Sequence, residues 1–548
     1  MIIRRMETMK KLLAGILALA MVLSLCSFAV AADEPITVTV FRGDPGDQPT
    51  DDNKIYKMIE EEFGIKFEIE FLAGDLDETL GTKLVNEDYP DLFDGGNSAE
   101  KLINAGALIN LLDYISEEKT PNLYNHIKDL LPQLVNENGE LFIIPNYGIN
   151  YNAQIQNACN GPAFFIQKQV LAWDNYPQIK TLNEYFDLIE RFVAAHPDEG
   201  YEGFAILCED WRHFCLINPV QHLMGRPNDG EVIINVTSGN FETETFIDKD
   251  YAKPYYAKLN EVYNKGLINP DTFVMTYDQY IAKLSSGKVV GMFDQTWDFG
   301  TATAALETAG MYENTYIALP LVYDESYGFG VIEEQYLNGA VPNKDRGFGI
   351  SVSCEYPERM INLFENLLSD EWQKILQWGI EGEDYYVENG RMLMTQEQYN
   401  NRQDATWKMA NTAVAIWESA PKKQGTQDDG NAWAHSDQPE NYFALMSEYD
   451  KAFLTAYGYQ KPADFFNAPC ELAPYGEAWQ IDTAPIADAN QDFLAVQDQW
   501  LPKVIMSATA EELDANWEAF VAEIAPYAQI KTEFMQAEVL KLVEQATN

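Results

Sequence analysis

Three tryptophans in this 548-residue chain stand beside side chains that make hydrogen bonds in pairs. Trp297 lies between Asp294 and Asp298, Trp211 lies between Asp210 and Arg212, and Trp433 lies near Asn431, His435 and Asp437. An indole offers a flat apolar face, while carboxylates, amides and guanidinium groups exchange hydrogen bonds with neighbouring hydroxyls. A sugar ring needs both, because it presents C–H faces and pairs of hydroxyls. Each tryptophan taken singly also fits a half-buried structural role. Three such groupings, all in expected loops, point together to a binding surface of this kind.

Signatures of bond-breaking chemistry are missing. The chain has no HExxH, no GxSxG and no phosphate-binding GxxxxGK[ST]. Ser285 and Lys288 match SxxK, but they sit in an expected turn. No two of the 86 acidic residues are singled out as a glycosidase pair. His126, His196, His213, His222 and His435 are not at metal-ligand spacing. Asp488, Asn490 and Asp492 imitate the start of a calcium loop, yet Phe493 replaces its glycine and Gln499 its glutamate. That segment reads as a helix cap. No catalytic residue, metal site or cofactor is expected.

The elements that must hold these residues follow from periodicity. Thr276 to Leu284 places Tyr277, Tyr280, Ile281 and Leu284 on one helix face, and Ser285-Ser286-Gly287 ends it. Val289 to Phe293 is a buried strand, which delivers Asp294 to Asp298 as a loop at its C-terminal end. The same alternation runs from the start. Ile36 to Phe41 is a strand leaving through the Arg42 to Thr50 loop, Lys54 to Phe63 is a helix, and Phe67 to Leu72 is a strand. Leu76 to Val85 is a helix, and Tyr89 to Phe93 opens onto Asp94-Gly95-Gly96-Asn97. Such alternation predicts parallel sheets with crossover helices. Leu141 to Ile144 is an expected strand, broken by Pro145 at a candidate hinge. Further strands are expected at Ala163 to Ile166, Phe204 to Leu207, Tyr316 to Val322 and Gly347 to Ser353. Val232 to Phe246 reads as a hairpin-rich insertion. Beyond Glu381 the chain turns helical, ending with Ala510 to Ala525.

Composition sets the class. At 46% hydrophobic and 13% aromatic residues the chain can fill large cores, and its length predicts two or more domains. Residues 1–31 read as an export leader, with Lys10 and Lys11 before an apolar run and Ala29-Val30-Ala31 as the cleavage pattern. The leader carries a net +3 (Arg4, Arg5, Lys10 and Lys11 against Glu7), so a total of −49 leaves the remainder near −52. That field repels nucleic acid and anionic membranes. Leu23-Ser24-Leu25-Cys26 resembles a lipoprotein box with a bulky Leu25 before the cysteine, which leaves anchoring at Cys26 open. Cys159, Cys208, Cys215, Cys354 and Cys470 are an odd set that matches no disulfide framework or zinc site. Cys208 and Cys215 can be read as a pair or as buried thiols.

One resemblance spans nearly the whole chain after the leader. It rests on Tyr89-Pro90-Asp91-Leu92-Phe93 before Gly95-Gly96, Ala105 to Leu111, Asp113-Tyr114-Ile115 and Tyr263 to Pro270. Gly287 with Val289 to Phe293, Gly347 to Ser353, Trp378 to Gly382 and Asp384-Tyr385 complete it. In this order the segments resemble the extracellular solute-binding proteins of bacterial ABC importers, in the carbohydrate-associated branch that includes maltodextrin- and alginate-binding-like receptors. The resemblance implies a periplasmic-binding-protein-like α/β fold, with two lobes, hinge crossings, a ligand cleft and a helical C-terminal part. It divides the chain into a leader (1–31), a first lobe (32–146 with 323–379) and a second lobe (147–322 with 380–548). The loops at 42–47, 94–97 and 294–298 would then face the cleft. Arg42, Asp44, Asp94, Asn97 and Tyr147 at the crossing thereby join Trp297, Asp294, Asp298, Trp211 and Trp433 as candidate ligand-binding residues.

The implied protein is a monomeric, exported, non-enzymatic receptor, extracellular or periplasmic. It would take an oligosaccharide or related solute and deliver it to membrane permease subunits, with no nucleic-acid partner. The competing classes are a secreted glycan lyase or glycosidase, a receptor for a peptide or polyamine, and a sensor ectodomain.

Overall fold

The computed structural model describes residues 34–136, 138–159, 161–236, 239–330, 332, 342, 344, 346–467 and 473–547. The leader, Cys26 and Cys470 lie outside the described residues.

The first sheet follows from the N-terminal alternation. Ile36–Arg42 pairs in parallel with Ile65–Phe71 and with Leu92–Phe93, and Gly349–Ile350 adds an antiparallel edge. The helix Lys54–Phe63 between the first two strands is capped by Asn53, whose side chain accepts from the amides of Ile55 and Tyr56. Ile55 and Ile59 of that helix pack against Val38, Val40, Ile69, Leu92 and Ile350, with Met360 and Phe364 of the helix Pro357–Leu367 in the same core. The expected strand at 141–144 is not assigned to any strand or helix.

The second sheet has the order Tyr316–Leu319, Ala163–Gln167, Val289–Asp294, Glu202–Ala205. It is mixed rather than wholly parallel: Ala163–Gln167 runs antiparallel to both of its neighbours, and only Glu202–Ala205 is parallel to Val289–Asp294. Both faces are covered. Phe164, Ile166, Val290 and Phe293 meet Tyr185 and Ile189 of the helix Leu182–Ala195, whereas Phe165 and Met292 meet Tyr280, Phe299 and Ala302. Each buried side chain of this size contributes about 1.5–3 kcal/mol relative to exposure. Gly291 is required by the packing. A Cβ there would stand 2.1 Å from the Tyr185 hydroxyl, which donates to the Phe165 carbonyl at 2.7 Å.

The helix expected to end at Ala525 runs from Ala510 to Thr547, through Pro526. Leu513, Trp517, Phe520, Ile524, Ala528, Met535 and Val539 form one buried stripe along it. Burial on both sides of the proline outweighs the roughly 3 kcal/mol that a proline costs inside a helix. The helix packs on Ala487–Ile505 and on the hairpin strand Glu242–Thr245, and it also touches Leu131–Leu134 beside the first sheet.

Between the two sheets the chain crosses near Asn150–Tyr151, which pairs in parallel with Gln424–Gly425. The Asn152 amide donates to the Thr426 carbonyl at 3.0 Å, and Asn146 donates to the Glu418 carbonyl at 2.6 Å. The chain crosses the expected division after Gly379 once more. Ala413, Ala415 and Ile416 pack in the first core, because the chain returns there before re-crossing at Gln424–Gly425. Cys159, Cys208, Cys215 and Cys354 are free thiols. No described helix is long and apolar enough to cross a membrane.

Candidate functional site

Parallel pairing of Glu202–Ala205 with Val289–Asp294 brings the C-terminal ends of two distant strands to the same edge of the second sheet. One end continues into the single-turn segment Asp210–His213, and the other into the helix Thr296–Thr308. Trp297 and Asp298 therefore sit in the first helical turn, not in a loop as expected. Thr296 to Phe299 is followed by residues that propagate a helix, and the Asp298 and Phe299 amides bond back to the Gln295 carbonyl.

The result is a layered stack. Trp297 and Trp211 lie nearly parallel, with ring centroids 5.7 Å apart at 18°. The Arg212 guanidinium lies 4.3 Å over Trp211 and 3.9 Å over Tyr277, filling the space between those two rings. Phe214 lies nearly parallel to Trp211, with ring centroids 6.0 Å apart at 16°. Cation–π contacts of this kind contribute about 0.5–2 kcal/mol each. Trp297 remains 57% exposed and Trp211 52% exposed, so the stack presents open aromatic surface. The Trp297 indole N–H donates to the Gln295 side chain at 2.9 Å, which fixes the ring's rotation.

Beneath the stack the carboxylates are buried. Arg212 Nε donates to Asp298 Oδ1 at 3.0 Å, and the Tyr277 hydroxyl donates to the Asp298 carbonyl at 2.6 Å. Asp298 Oδ2 has no protein partner. Burial raises the Asp298 pKa, opposed by Arg212. Asp294 accepts from the Tyr280 hydroxyl and from its neighbour's amide, both at 2.7 Å. Burial, and then the Asp298 charge, push Asp294 up to about 8. Cys215, Asp294 and Asp298 bring possible metal-ligating atoms within 4.8 Å of one another. Protein groups already engage them: the Cys215 thiol and Tyr280 bond to Asp294, and Arg212 to Asp298. Burial holds Cys215 as a neutral thiol, with its pKa well above the ordinary value.

His213 closes the other side. Its ring faces two acceptors, the Asp210 carbonyl at 2.9 Å and the Glu231 carboxylate at 3.0 Å. Burial lowers its pKa, so at neutral pH the uncharged ring donates to only one of them. Lys531 also ion-pairs with Glu231 and donates to Asn490 at 2.5 Å. The calcium-loop imitation at Asp488 to Asp492 is part of the helix Ala487–Ile505.

The remaining candidates are placed elsewhere. Trp433 is 4% exposed, with the Lys423 ammonium 4.9 Å over its ring and Tyr151 packed edge-on, so it offers no open face. Lys423 is itself held by Asp370 at 2.6 Å. Arg42 and Asp94 are each 1% exposed and pair with one another, rather than facing solvent from their loops. Neighbouring parallel strands bring them side by side. Arg42 also binds Glu418 and the Ala415 carbonyl, and Asp94 accepts from Ser419 at 2.6 Å. Asp44 and Asn97 are bridged by Arg346, at 2.5 and 2.9 Å. Tyr147 is partly exposed at the crossing. Sequence reasoning missed Phe214 and the roles of Tyr277 and Tyr280. The helical spacing of the two tyrosines marked a core face, and nothing local reported their hydroxyl partners.

No protein-family model matches the chain, and no curated protein matches it by sequence. Solved structures do. An HMO-binding, ABC-transporter-associated solute-binding protein from Bifidobacterium longum infantis aligns over 92% of this chain and 99% of its own, with TM-score 0.63 and 15% identity. An alginate-binding protein aligns over 92% and 98%, with TM-score 0.59 and 14% identity. A Streptococcus pneumoniae ABC-transporter substrate-binding protein in complex with kestose aligns over 94% and 100%, with TM-score 0.58 and 15% identity. At such identities the likeness is one of fold, and end to end the chain has the fold of the solute-binding proteins of ABC transporters.

Proposed function

We propose that this chain is an exported, non-enzymatic receptor of an ABC importer. It captures an oligosaccharide or related carbohydrate between its lobes and hands it to membrane permease subunits. The observation that carries this reading is the exposed Trp297 face, held on a built stack of Trp211, Arg212 and Tyr277 at the end of a central strand. A preformed aromatic platform binds a sugar face with little ordering cost. The fold supports the reading as well, because structures that share it include an HMO-binding protein, an alginate-binding protein and a substrate-binding protein in complex with kestose. Closure would bend the chain where Asn150–Tyr151 pairs with Gln424–Gly425 and carry the first lobe toward the stack. We read the protein as a monomer outside the cytoplasm.

Titration calorimetry of the leaderless chain against a glycan panel tests the proposal, with mass spectrometry of the recovered ligand. Saturable binding and unchanged ligand are expected. Turnover of the glycan would make the protein an enzyme. Binding of a peptide or polyamine with no glycan bound would keep a receptor and discard its substrate.

A further inference from the structure

A fourth tryptophan is exposed in the same lobe, and the proposed carbohydrate site does not use it. Trp479 is 44% exposed in the short turn Ala478–Gln480, and its indole N–H donates to Glu477 at 2.7 Å. Buried groups build this turn. The Asp229 carboxylate is 3% exposed and accepts from the Tyr475 hydroxyl and the Ala478 amide, both at 3.1 Å. Gly230, next in sequence, has φ of +73°, and a Cβ there would lie 2.9 Å from the Trp479 Cβ. Only glycine lets the tryptophan sit where it does.

The next residue, Glu231, reaches toward the aromatic stack. The Glu231 carboxylate lies 3.0 Å from His213 Nε2, and His213 closes the turn that carries Trp211. Asp229 and Gly230 therefore seat Trp479, while Glu231 seats the base of Trp211. Two exposed indoles stand on turns tied to one short segment, so their spacing is set by the fold and not by mobile loops.

The charge around them selects the ligand. Glu209, Asp210, Glu231, Asp294, Asp298 and Glu477 are acids of these two turns and the stack, and burial pushes Asp294 up to about 8 and Glu477 up to about 7. The neighbouring cations are already engaged, Arg212 by Asp298 and Lys531 by Glu231. A sugar carboxylate placed here would find Arg212 and Lys531 already paired, so its desolvation would go uncompensated.

We propose that Trp479 forms a second ring-binding subsite, so that the receptor takes a neutral oligosaccharide spanning Trp297–Trp211 and Trp479, and discriminates against sugar acids. This rests on the carbohydrate reading above.

The test measures affinities of the leaderless chain for neutral gluco-, manno- and fructo-oligosaccharides from monosaccharide to pentasaccharide, and for oligouronates of matching length. Trp479→Ala should weaken the longer neutral ligands by about 5- to 150-fold and leave the shortest binding ligand unchanged, as loss of one stacked ring requires. Trp297→Ala should weaken every length. Trp479→Leu, which keeps apolar bulk in the turn, should reproduce the length-dependent loss if the alanine variant folds poorly. An equal loss at all lengths, or none at any, overturns the subsite. Oligouronates bound as tightly as neutral ligands overturn the charge selection. A wild-type chain that binds no glycan overturns the carbohydrate reading itself.

Discussion

Replacing Arg212 by alanine probes the stack at its centre. The guanidinium is the charge partner of Asp298, whose side chain is 2% exposed, and it fills the space between Trp211 and Tyr277. Removing one member of a buried ion pair costs about 3–5 kcal/mol, because the other charge is left without compensation. Two cation–π contacts are lost with it, at about 0.5–2 kcal/mol each, less what relaxation of the rings returns. The Arg212 side chain is 19% exposed, so solvent screens part of this, and the expected loss is about 3–4 kcal/mol at neutral pH. The sign with pH follows from Asp298. Burial raises its folded pKa, and Arg212 opposes that rise. Without the arginine the folded pKa climbs further, so the unfolded state binds fewer protons than the folded state across the acid range, and stability falls as pH rises. The loss should therefore be largest at neutral pH and shrink on acidification, becoming smallest below the ordinary aspartate pKa, where both states are protonated. Urea unfolding followed by tryptophan fluorescence reads the transition, to which Trp211 and Trp297 contribute together with tryptophans such as Trp372 in the first core. A loss under about 1 kcal/mol that is flat with pH would refute the buried-pair account. Arg212→Lys keeps the charge but loses the planar group, and should recover only part of the stability.

Three further outcomes are expected. Trp297→Ala should lower glycan affinity by about 1–3 kcal/mol in calorimetry and change stability by under about 1 kcal/mol, since the ring is more than half exposed. Gly291→Ala should destabilise the second lobe by about 1–3 kcal/mol by driving a methyl group into the Tyr185 hydroxyl, and pairing it with Tyr185→Phe should return part of the loss in a double-mutant cycle. Asp294→Asn should flatten the pH dependence of stability. Burial pushes Asp294 up to about 8, so in the wild type its contribution declines from about pH 4 to pH 8 as the unfolded carboxyl ionises first, and an amide cannot ionise.

Much of this protein is local. The helix Tyr277–Ser285 is encoded in the spacing of Tyr277, Tyr280 and Leu284, with a capping box in which Thr276 and Gln279 exchange hydrogen bonds. The strand Val289–Asp294 follows from a short apolar run, and the Asp294–Trp297–Asp298 grouping at its end is visible in the letters alone. Such features depend on residues within a few positions of one another, so sequence by itself determines them. Pairings between distant segments are of another kind. Trp211 stacks on Trp297, from another part of the chain, because two strands happen to lie parallel and adjacent, so that their C-terminal ends meet. Trp433 also has polar neighbours in sequence, as the exposed pair does, yet Lys423 and Tyr151 cover it at the crossing. Arg42 and Asp94 look like loop residues open to a ligand, and the first sheet turns them toward each other. Sequence thus determined which residue types were available at the ends of strands. Tertiary structure decided which rings stay open and which charges are spent, because burial and partner choice depend on the packing of segments that sequence separates.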